Sequence, residues 1–323
     1  MKILITGGAG MVGSNLAKNL IDQGHEITII DNFWRGSKEN LKKVGLEENQ
    51  YRLIEADLSE NGNWINSFKE VECVYHLADI VAGISYVFNN EGFIFRQNLK
   101  INSNVASACE KSNVKRYIYV GTACSFPLHL QTNLDSSPLN EEDQFPANPE
   151  SAYGWSKLMG ELDAKYLSEK GMDTVILVLH NVFGAPCDFS DETGQVIPSL
   201  IRRTLELKNE SLEVWGDGSQ GRAFVYIDDV IEALTSALSK GENSGPIQIG
   251  PNSCTSIKTI AEIITKKVDS RIDLNFDLSK PTGDKGRCAN YSKAKKLLNW
   301  EPKVAIENGI EKLLEFIKKE IKD

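Results

Sequence analysis

The sequence predicts a doubly wound parallel α/β sheet followed by a smaller mixed α/β lobe, on three observations. Short β-rich runs alternate with helical patterns through the first half, a glycine-rich turn follows the first run, and a carboxylate closes the second. The β-rich runs are "KILIT" (2–6), "EITIID" (26–31), "YRLIEAD" (51–57), "ECVYHLA" (72–78) and "RYIYVGT" (116–122), and helix-like stretches separate most of them. The stretch "SAYGWSKLMGELDAKYLSEKG" (151–171) reads as a long helix closing at a glycine, and "TVILVLH" (174–180) as a sixth strand. Beyond about residue 185 strands such as "LEVWG" and "PIQIG" are short and separated, with helices expected at about 227–240, 255–268 and 304–320. The expected division is a first domain over 1–180 and a second lobe mainly over 181–323, with some segments returning to the first and a cleft between them.

Composition narrows the functional classes. With 323 residues, 41% of them hydrophobic and 25% charged, the chain is an ordinary globular protein able to bury a sizeable core. No stretch approaches the roughly 20 apolar residues of a membrane span, so no bilayer partner is expected. The N-terminus "MKILITGGAG" reaches glycines before the apolar core of about 7 to 15 residues that a signal peptide needs. Cys73, Cys109, Cys124, Cys187, Cys254 and Cys288 are scattered without a CxxC pair or metal-ligand spacing, so neither a disulfide framework nor a metal site is expected. A reducing, cytoplasmic setting fits this usage. Net charge is −9 with no basic block, which argues against a nucleic-acid partner; any phosphate must be held locally.

Such a local holder is present. In "LITGGAGMVGSNLAKNL", Gly7, Gly10 and Gly13 follow the first strand directly and open a helix. Glycines there let backbone approach a pyrophosphate, whose charge meets the helix N-terminus. The second strand ends in Asp31, about 20 residues on, where a carboxylate accepts both ribose hydroxyls and repels a 2′-phosphate. NAD is therefore expected over NADP, although Arg35 places a cation nearby. Asp57 and Leu58, after the third strand, stand where an adenine edge would lie; a plain surface turn is the other reading.

Two further patterns carry chemistry. In "AYGWSK", Tyr153 and Lys157 are four apart and share a helical face. An ammonium beside a phenol favours the phenolate, lowering a pKa of about 10 toward the range of a general base. In "VGTACSFP" (120–127), Thr122 and Cys124 are two apart at a strand end, so strand alternation would set the hydroxyl and the thiol on one face.

Together "TGGAGMVG", "VGTACS" and "AYGWSK" resemble the extended short-chain dehydrogenase/reductase family of nucleotide-sugar enzymes, over nearly the whole chain. "HNVFG" (180–184), "VWGDGSQGRAFVYIDDV" (214–230) and "NWEP" (299–302) look like the family segments that line the sugar-nucleotide cleft. The resemblance implies a Rossmann fold and hydride transfer between NAD and a sugar carbon, usually C4, with Tyr153 as base, Lys157 as electrostatic support and Thr122 as hydroxyl partner. It implies NAD contacts from Gly7, Gly10, Met11, Val12, Gly13, Asp31, Asn32, Asp57, Leu58, Leu77, Ala78, Asn98, Tyr153 and Lys157. It implies nucleotide-sugar contacts from Gly83, Asn181, Arg222 and Arg287, with Asn181 toward a phosphate or sugar oxygen and the two arginines neutralising the diphosphate. Asn98 and Asn102 lie in a helical pattern and serve either the cofactor or the helix surface, while Trp215 and Trp300 read as core. A homodimer through helices near 90–112 and 151–170 is a further expectation of the resemblance.

Within that family the residues after the hydroxyl discriminate. Nucleotide-sugar 4,6-dehydratases carry an Asp-Glu pair there; Ala123 and Cys124 stand in its place, so dehydration is not expected. "GTACSFP" resembles "SACIYP" of the GDP-mannose 3,5-epimerases, whose cysteine is an acid/base on the carbons flanking a 4-ketone. "LADIVAG" (77–83), "NEEDQFPANPESAYG" (140–154) and "PTGDKGR" (281–287) resemble their "AADMGG" loop, their lead-in to the tyrosine and their arginine segment. A C4 ketone acidifies the C3 and C5 protons, and a partly ionised thiol nearby removes one. Inert packing at a strand end is the other role open to Cys124.

These epimerases pair the cysteine with a lysine in the loop after the sixth strand. Here that loop reads "GAPCDFSDETGQVIP" (184–198), with Ser190 about where the lysine would stand and Cys187, Asp188 or Asp191 as substitutes for it. The expectation is a C4 dehydrogenase of a GDP-linked, manno-configured sugar, with oxidation, C3 or C5 epimerisation and re-reduction as the alternative. A catalytically silent nucleotide-binding regulator is a third class, opposed by the intact Thr122, Tyr153 and Lys157.

Overall fold

The first strand, β1 (Lys2–Thr6), is buried from Ile3 to Thr6, as a central parallel strand covered on both faces requires. It is followed by α1 (Met11–Asp22), β2 (Glu26–Asp31), α2 (Lys38–Lys43), β3 (Tyr51–Glu55), β4 (Cys73–His76), α3 (Ile84–Asn89), α4 (Glu91–Lys111), β5 (Arg116–Thr122), α5 (Ala152–Glu169) and β6 (Asp173–Leu179). The second half contains β7 (Asn181–Phe183), α6 (Val196–Glu206), β8 (Leu212–Trp215), β9 (Gly221–Arg222), β10 (Phe224–Tyr226), α7 (Ile227–Ser236) and β11 (Pro246–Ile249). It closes with β12 (Thr255–Ser256), α8 (Ile257–Val268), β13 (Leu274–Asp277), β14 (Gly286–Arg287), α9 (Ser292–Leu298) and α10 (Ile306–Lys322). This computed structural model describes residues 1–133, 137–190, 193–207, 211–280, 282–283 and 285–322.

Seven strands make one parallel sheet in the order β11-β6-β5-β4-β1-β2-β3, the doubly wound architecture expected. Side-chain alternation divides the core between the two faces of the sheet: Ile3 and Ile5 join Leu16, Leu20 and Tyr75 on one, and Leu4 joins Val74, Tyr117 and Phe126 on the other. The "PIQIG" run, expected in the second lobe, instead forms the sheet edge, pairing from Pro246 with Ile176 to Ile249 with Leu179. Its Ile247 and Ile249 are fully buried, and that cover is available on the large sheet.

The strand order reverses between β1 and β4, both of which pair in register through Ile3 to Thr6. The loops leaving two such strands diverge, and ligands of open α/β sheets bind in the crevice they leave. The smaller lobe covers that crevice with short pairings: β7 with β10, β8 with β13, and β9 with both β12 and β14. In α10, Ile310, Leu313, Leu314 and Ile317 recur at helical spacing and bury one face, while Trp300 lies wholly in the core and donates its indole N–H to the Asp229 carbonyl at 2.7 Å.

Candidate active site

At the switch point the glycine turn is shaped by close backbone approach. Gly7 has φ +67°, and a Cβ there would lie 2.8 Å from the Ala78 nitrogen in the loop after β4. A Cβ on Gly13 would collide with the Gly7 carbonyl, so the helix can start this close to the turn only with glycine. Gly10 is the N-cap of α1 without a side-chain cap, and the first turn holds no acidic residue. The first amides of α1 therefore face the turn without competition for an anion. These residues fit a dinucleotide: Gly7, Gly10, Met11, Val12, Gly13, Asp31, Asn32, Asp57, Leu58, Leu77 and Ala78 all line one cavity of about 1560 Å³.

Asp31 is tied to this turn. Its carboxylate accepts the Ala9 amide at 2.9 Å and the Phe33 amide at 2.8 Å, one on each oxygen. Each oxygen retains a further lone pair for a hydroxyl. Burial raises the Asp31 pKa, and the backbone amides act against that shift. Arg35 donates to the Val81 carbonyl at 3.0 Å and the Thr193 carbonyl at 3.3 Å, and lies 3.9 Å from Asp188. It thus joins the loop after β4 to the loop after β7.

Helix α5 is started by Ser151, whose hydroxyl accepts the Gly154 amide at 3.3 Å, and its first turns carry Tyr153 and Lys157. Tyr153 lines the cavity, whereas Lys157 lies beneath it, 1% exposed, with its ammonium 4.7 Å from the centre of the Tyr119 ring. Between Lys157 and the cavity stands Asp79, a residue the sequence reading did not single out. Its Oδ2 accepts the Tyr153 hydroxyl at 3.2 Å and lies 3.1 Å from the Lys157 ammonium. The expected lowering of the phenol is overridden: burial first, then the Asp79 charge, hold Tyr153 well above its ordinary pKa. The signal available was position, an acid directly after "LA" at the end of β4, where the crevice opens.

Thr122 and Cys124 both line the cavity, but strand alternation does not relate them. The strand ends at Thr122 and a short 3-10 turn covers Ala123–Ser125, because the Thr122 hydroxyl accepts the Cys124 amide at 3.3 Å. Behind the site, Asn98 and Asn102 are buried rather than on a helix surface, and Asn98 is not part of the cavity wall. Asn98 accepts the Ile80 amide at 2.7 Å and donates to the Ile80 carbonyl and the Ser156 hydroxyl, so it pins the loop that carries Asp79 to α5. Asn102 bonds the Ser156 carbonyl and the ring of His76, whose other nitrogen meets the Thr6 hydroxyl at 2.7 Å. Burial, then the Lys157 charge, bring His76 down to about 3, so its ring is neutral near pH 7. One turn along α5, burial lifts Glu161 to about 7, against a hydrogen bond from Gln144 and the charge of Lys157.

On the substrate side, Arg222 and Arg287 are direct partners in the β9–β14 register, which brings both cations to one stretch of the wall. Arg287 is buried and donates to Gln131 Oε1 at 3.1 Å; Arg222 donates to the Gly221 carbonyl at 2.8 Å. Gly83 and Asn181 also line the cavity, as does Glu150, which the sequence reading passed over. Trp215, expected in the core, is half-buried in the cavity wall, with its indole N–H donated to Glu213 at 3.2 Å.

In the loop after β7, Cys187 and Asp188 reach the wall and Ser190 does not. Burial pushes the Cys187 thiol up to about 12. Burial is also the largest influence on Asp188 and raises it, but hydrogen bonds from Thr193 at 2.5 Å and the Ser190 amide at 2.9 Å, with the Arg35 charge, bring it below the usual value. The Ser190 hydroxyl is paired with that of Thr193 at 3.0 Å. Asp191 lies outside the described residues. Among the described residues no cluster suited to a metal is present, and no helix is long and apolar enough to cross a membrane.

The sequence matches the model of the NAD dependent epimerase/dehydratase family over residues 3–250. It is 29% identical to GDP-mannose 3,5-epimerase 1 of Oryza sativa subsp. indica, over 99% of this chain and 82% of that protein. It is 31% identical to UDP-glucuronic acid decarboxylase 6 of Arabidopsis thaliana, over 96% of this chain and 87% of that protein. Among solved structures, UDP-glucuronic acid 4-epimerase from Bacillus cereus, in complex with UDP-glucuronic acid and NAD, matches with a TM-score of 0.84 and 27% identity, covering 99% of each chain.

Proposed function

This chain belongs to the NAD dependent epimerase/dehydratase family, and we propose that within it the protein oxidises C4 of a GDP-linked, manno-configured sugar and releases the 4-keto product. It is an enzyme, and its cofactor is NAD. NAD supplies the acceptor for the hydride leaving C4. The chain's own residues do the rest. Arg222 and Arg287 hold the diphosphate, and Asn181 and Gly83 approach the sugar. The hydroxyls of Thr122 and Tyr153 orient the C4 oxygen; Tyr153 acts in its ionised form, which the Lys157 ammonium favours, and takes the C4 hydroxyl proton as the hydride leaves.

One observation carries the choice of dehydrogenation over epimerisation. Inversion at C3 or C5 needs a proton removed from one face and another delivered to the opposite face. The loop after β7 contains no lysine, and among its described residues Asp188 is held ionised, Ser190 is off the wall, and Cys187, with a pKa of about 12, is a weaker acid than a lysine ammonium. Oxidation at C4 uses none of them. Turnover then requires exchange of the reduced cofactor or a second, oxidised substrate. Exposed Tyr166 on α5, 55% accessible, supports a homodimer through this helix and α4, and the six cysteines, none of them in a disulfide, suit the cytoplasm.

The test is a comparison of GDP-mannose with UDP-glucuronic acid, following reduced-cofactor absorbance and identifying products by mass spectrometry. Oxidation of the GDP sugar with accumulation of reduced cofactor supports the reading. Turnover confined to the UDP sugar, with loss of its carboxylate or inversion at C4, overturns it.

A further inference from the structure

We propose that Asp79 is a positioning residue that holds the Tyr153 hydroxyl and the Lys157 ammonium on a single carboxylate oxygen and so sets the pH at which Tyr153 becomes a base. The inference rests on the reading of Tyr153 as the proton acceptor. Lys157 is buried beneath the cavity, and Asp79 is its ion-pair partner at 3.1 Å and stands between it and the cavity. A buried ammonium needs such a counter-charge. The same oxygen, Oδ2, takes the phenolic O–H at 3.2 Å, so the hydroxyl that would accept a substrate proton is aimed at a carboxylate.

This geometry reverses what the Tyr-Lys spacing alone would do. An isolated ammonium beside a phenol favours the phenolate, whereas here its charge is matched by Asp79, and the hydrogen bond to Asp79 is made only by the protonated phenol. The surrounding ionisable groups do not replace Asp79. On α5 itself these are Lys157 and Glu161; from β5 and the turn after it come Tyr119 and Cys124; from β4 comes His76. Of these, Cys124 and Tyr119 act on Tyr153 in the same direction as Asp79 but less strongly, Glu161 and His76 are not among its main influences, and Lys157 acts in the opposite direction. The position of Asp79 is itself fixed, since the adjoining Ile80 is clamped through both its amide and its carbonyl by Asn98.

Asp79→Asn keeps the shape and removes the charge. Its effect is read without turnover from the ultraviolet difference titration of Asp79→Asn against Asp79→Asn/Tyr153→Phe, set beside wild type against Tyr153→Phe. Tyr153 is expected to ionise at least about one pH unit lower in the Asp79→Asn background. The acid limb of the kcat profile should move the same way, with KM for the nucleotide sugar within about twofold of wild type. A merely structural role would lower kcat equally at every pH and leave the titration in place, and that result overturns the proposal. If Asp79→Asn does not fold, Asp79→Glu carries the test: retaining the charge, it must keep the wild-type acid limb, and a limb displaced by about one pH unit overturns the proposal. Full turnover by Tyr153→Phe would instead remove the underlying assignment of the base, an outcome distinct from an unmoved titration.

Discussion

Asp31 at the end of β2 and Ala9 in the glycine turn are joined by a 2.9 Å hydrogen bond from the Ala9 amide to the carboxylate. The residue expected to receive the ribose hydroxyls therefore also fixes the turn expected to receive the pyrophosphate. Asp31→Ala should weaken NAD by about tenfold or more, as loss of a charge-assisted hydrogen-bond acceptor does, and should narrow the preference for NAD over NADP. Fluorescence titration of both cofactors checks this. A wild-type protein that already prefers NADP contradicts the role given to Asp31.

Removing the phenolic oxygen should separate chemistry from binding. Tyr153→Phe is expected to reduce turnover by at least about 100-fold, the scale of general-base catalysis, while NAD binding persists because the glycine turn is unaffected. Pre-steady-state measurement of reduced cofactor gives the rate directly, and near-normal turnover contradicts the assignment.

Glu161 should leave a signature in the pH dependence of stability. Its folded pKa of about 7 lies above the ordinary 4.5, because burial disfavours the carboxylate. The folded state therefore binds more protons than the unfolded state between these values, and this group's contribution falls as pH rises from about 4.5 to about 7, by on the order of 3 kcal/mol. His76 and His180, each brought down to about 3 primarily by burial, act in the opposite sense: their contribution is present above about 6.5 and is lost as pH falls toward about 3. Glu161→Gln should gain Tm relative to wild type steadily from pH 5 to pH 7.5, as measured by thermal melts; a constant difference across that range would show that Glu161 does not titrate there.

The fold was legible because its determinants are local. Alternating apolar runs, the glycine turn and the helical pattern that closes at Gly171 each specify structure from neighbouring residues, and β1, β2 and α5 follow from them. Where a partner distant in sequence decides, the sequence misled or was silent. The run "PIQIG" has the pattern of any short buried strand, and only its pairing with β6 brings it into the main sheet. Trp215 has a core residue's composition and a wall residue's place, since the short β8 exposes one edge to the cleft. The Thr122 cap on Cys124 ended the strand alternation that "GTACS" suggests. Asp79 acquires its meaning from Lys157, 78 residues later, a juxtaposition made by the β4–β5 pairing and α5 and invisible in spacing.

Cys124 shares the cavity with Tyr153, and the loop after β7 has no lysine, its described wall residues being an ionised Asp188 and a Cys187 thiol that is a weaker acid than an ammonium. The most direct measurement is therefore hydrogen exchange in the sugar: incubation of the enzyme, NAD and the accepted nucleotide sugar in deuterated water, with the product read by NMR and mass spectrometry. The expected result is one reduced cofactor per 4-keto sugar formed, unchanged configuration at C3 and C5, and deuterium entering these carbons no faster than in free 4-keto sugar. Enzyme-catalysed inversion at C3 or C5, abolished by Cys124→Ala and accompanied by internal regeneration of NAD, would contradict it and make the protein an epimerase.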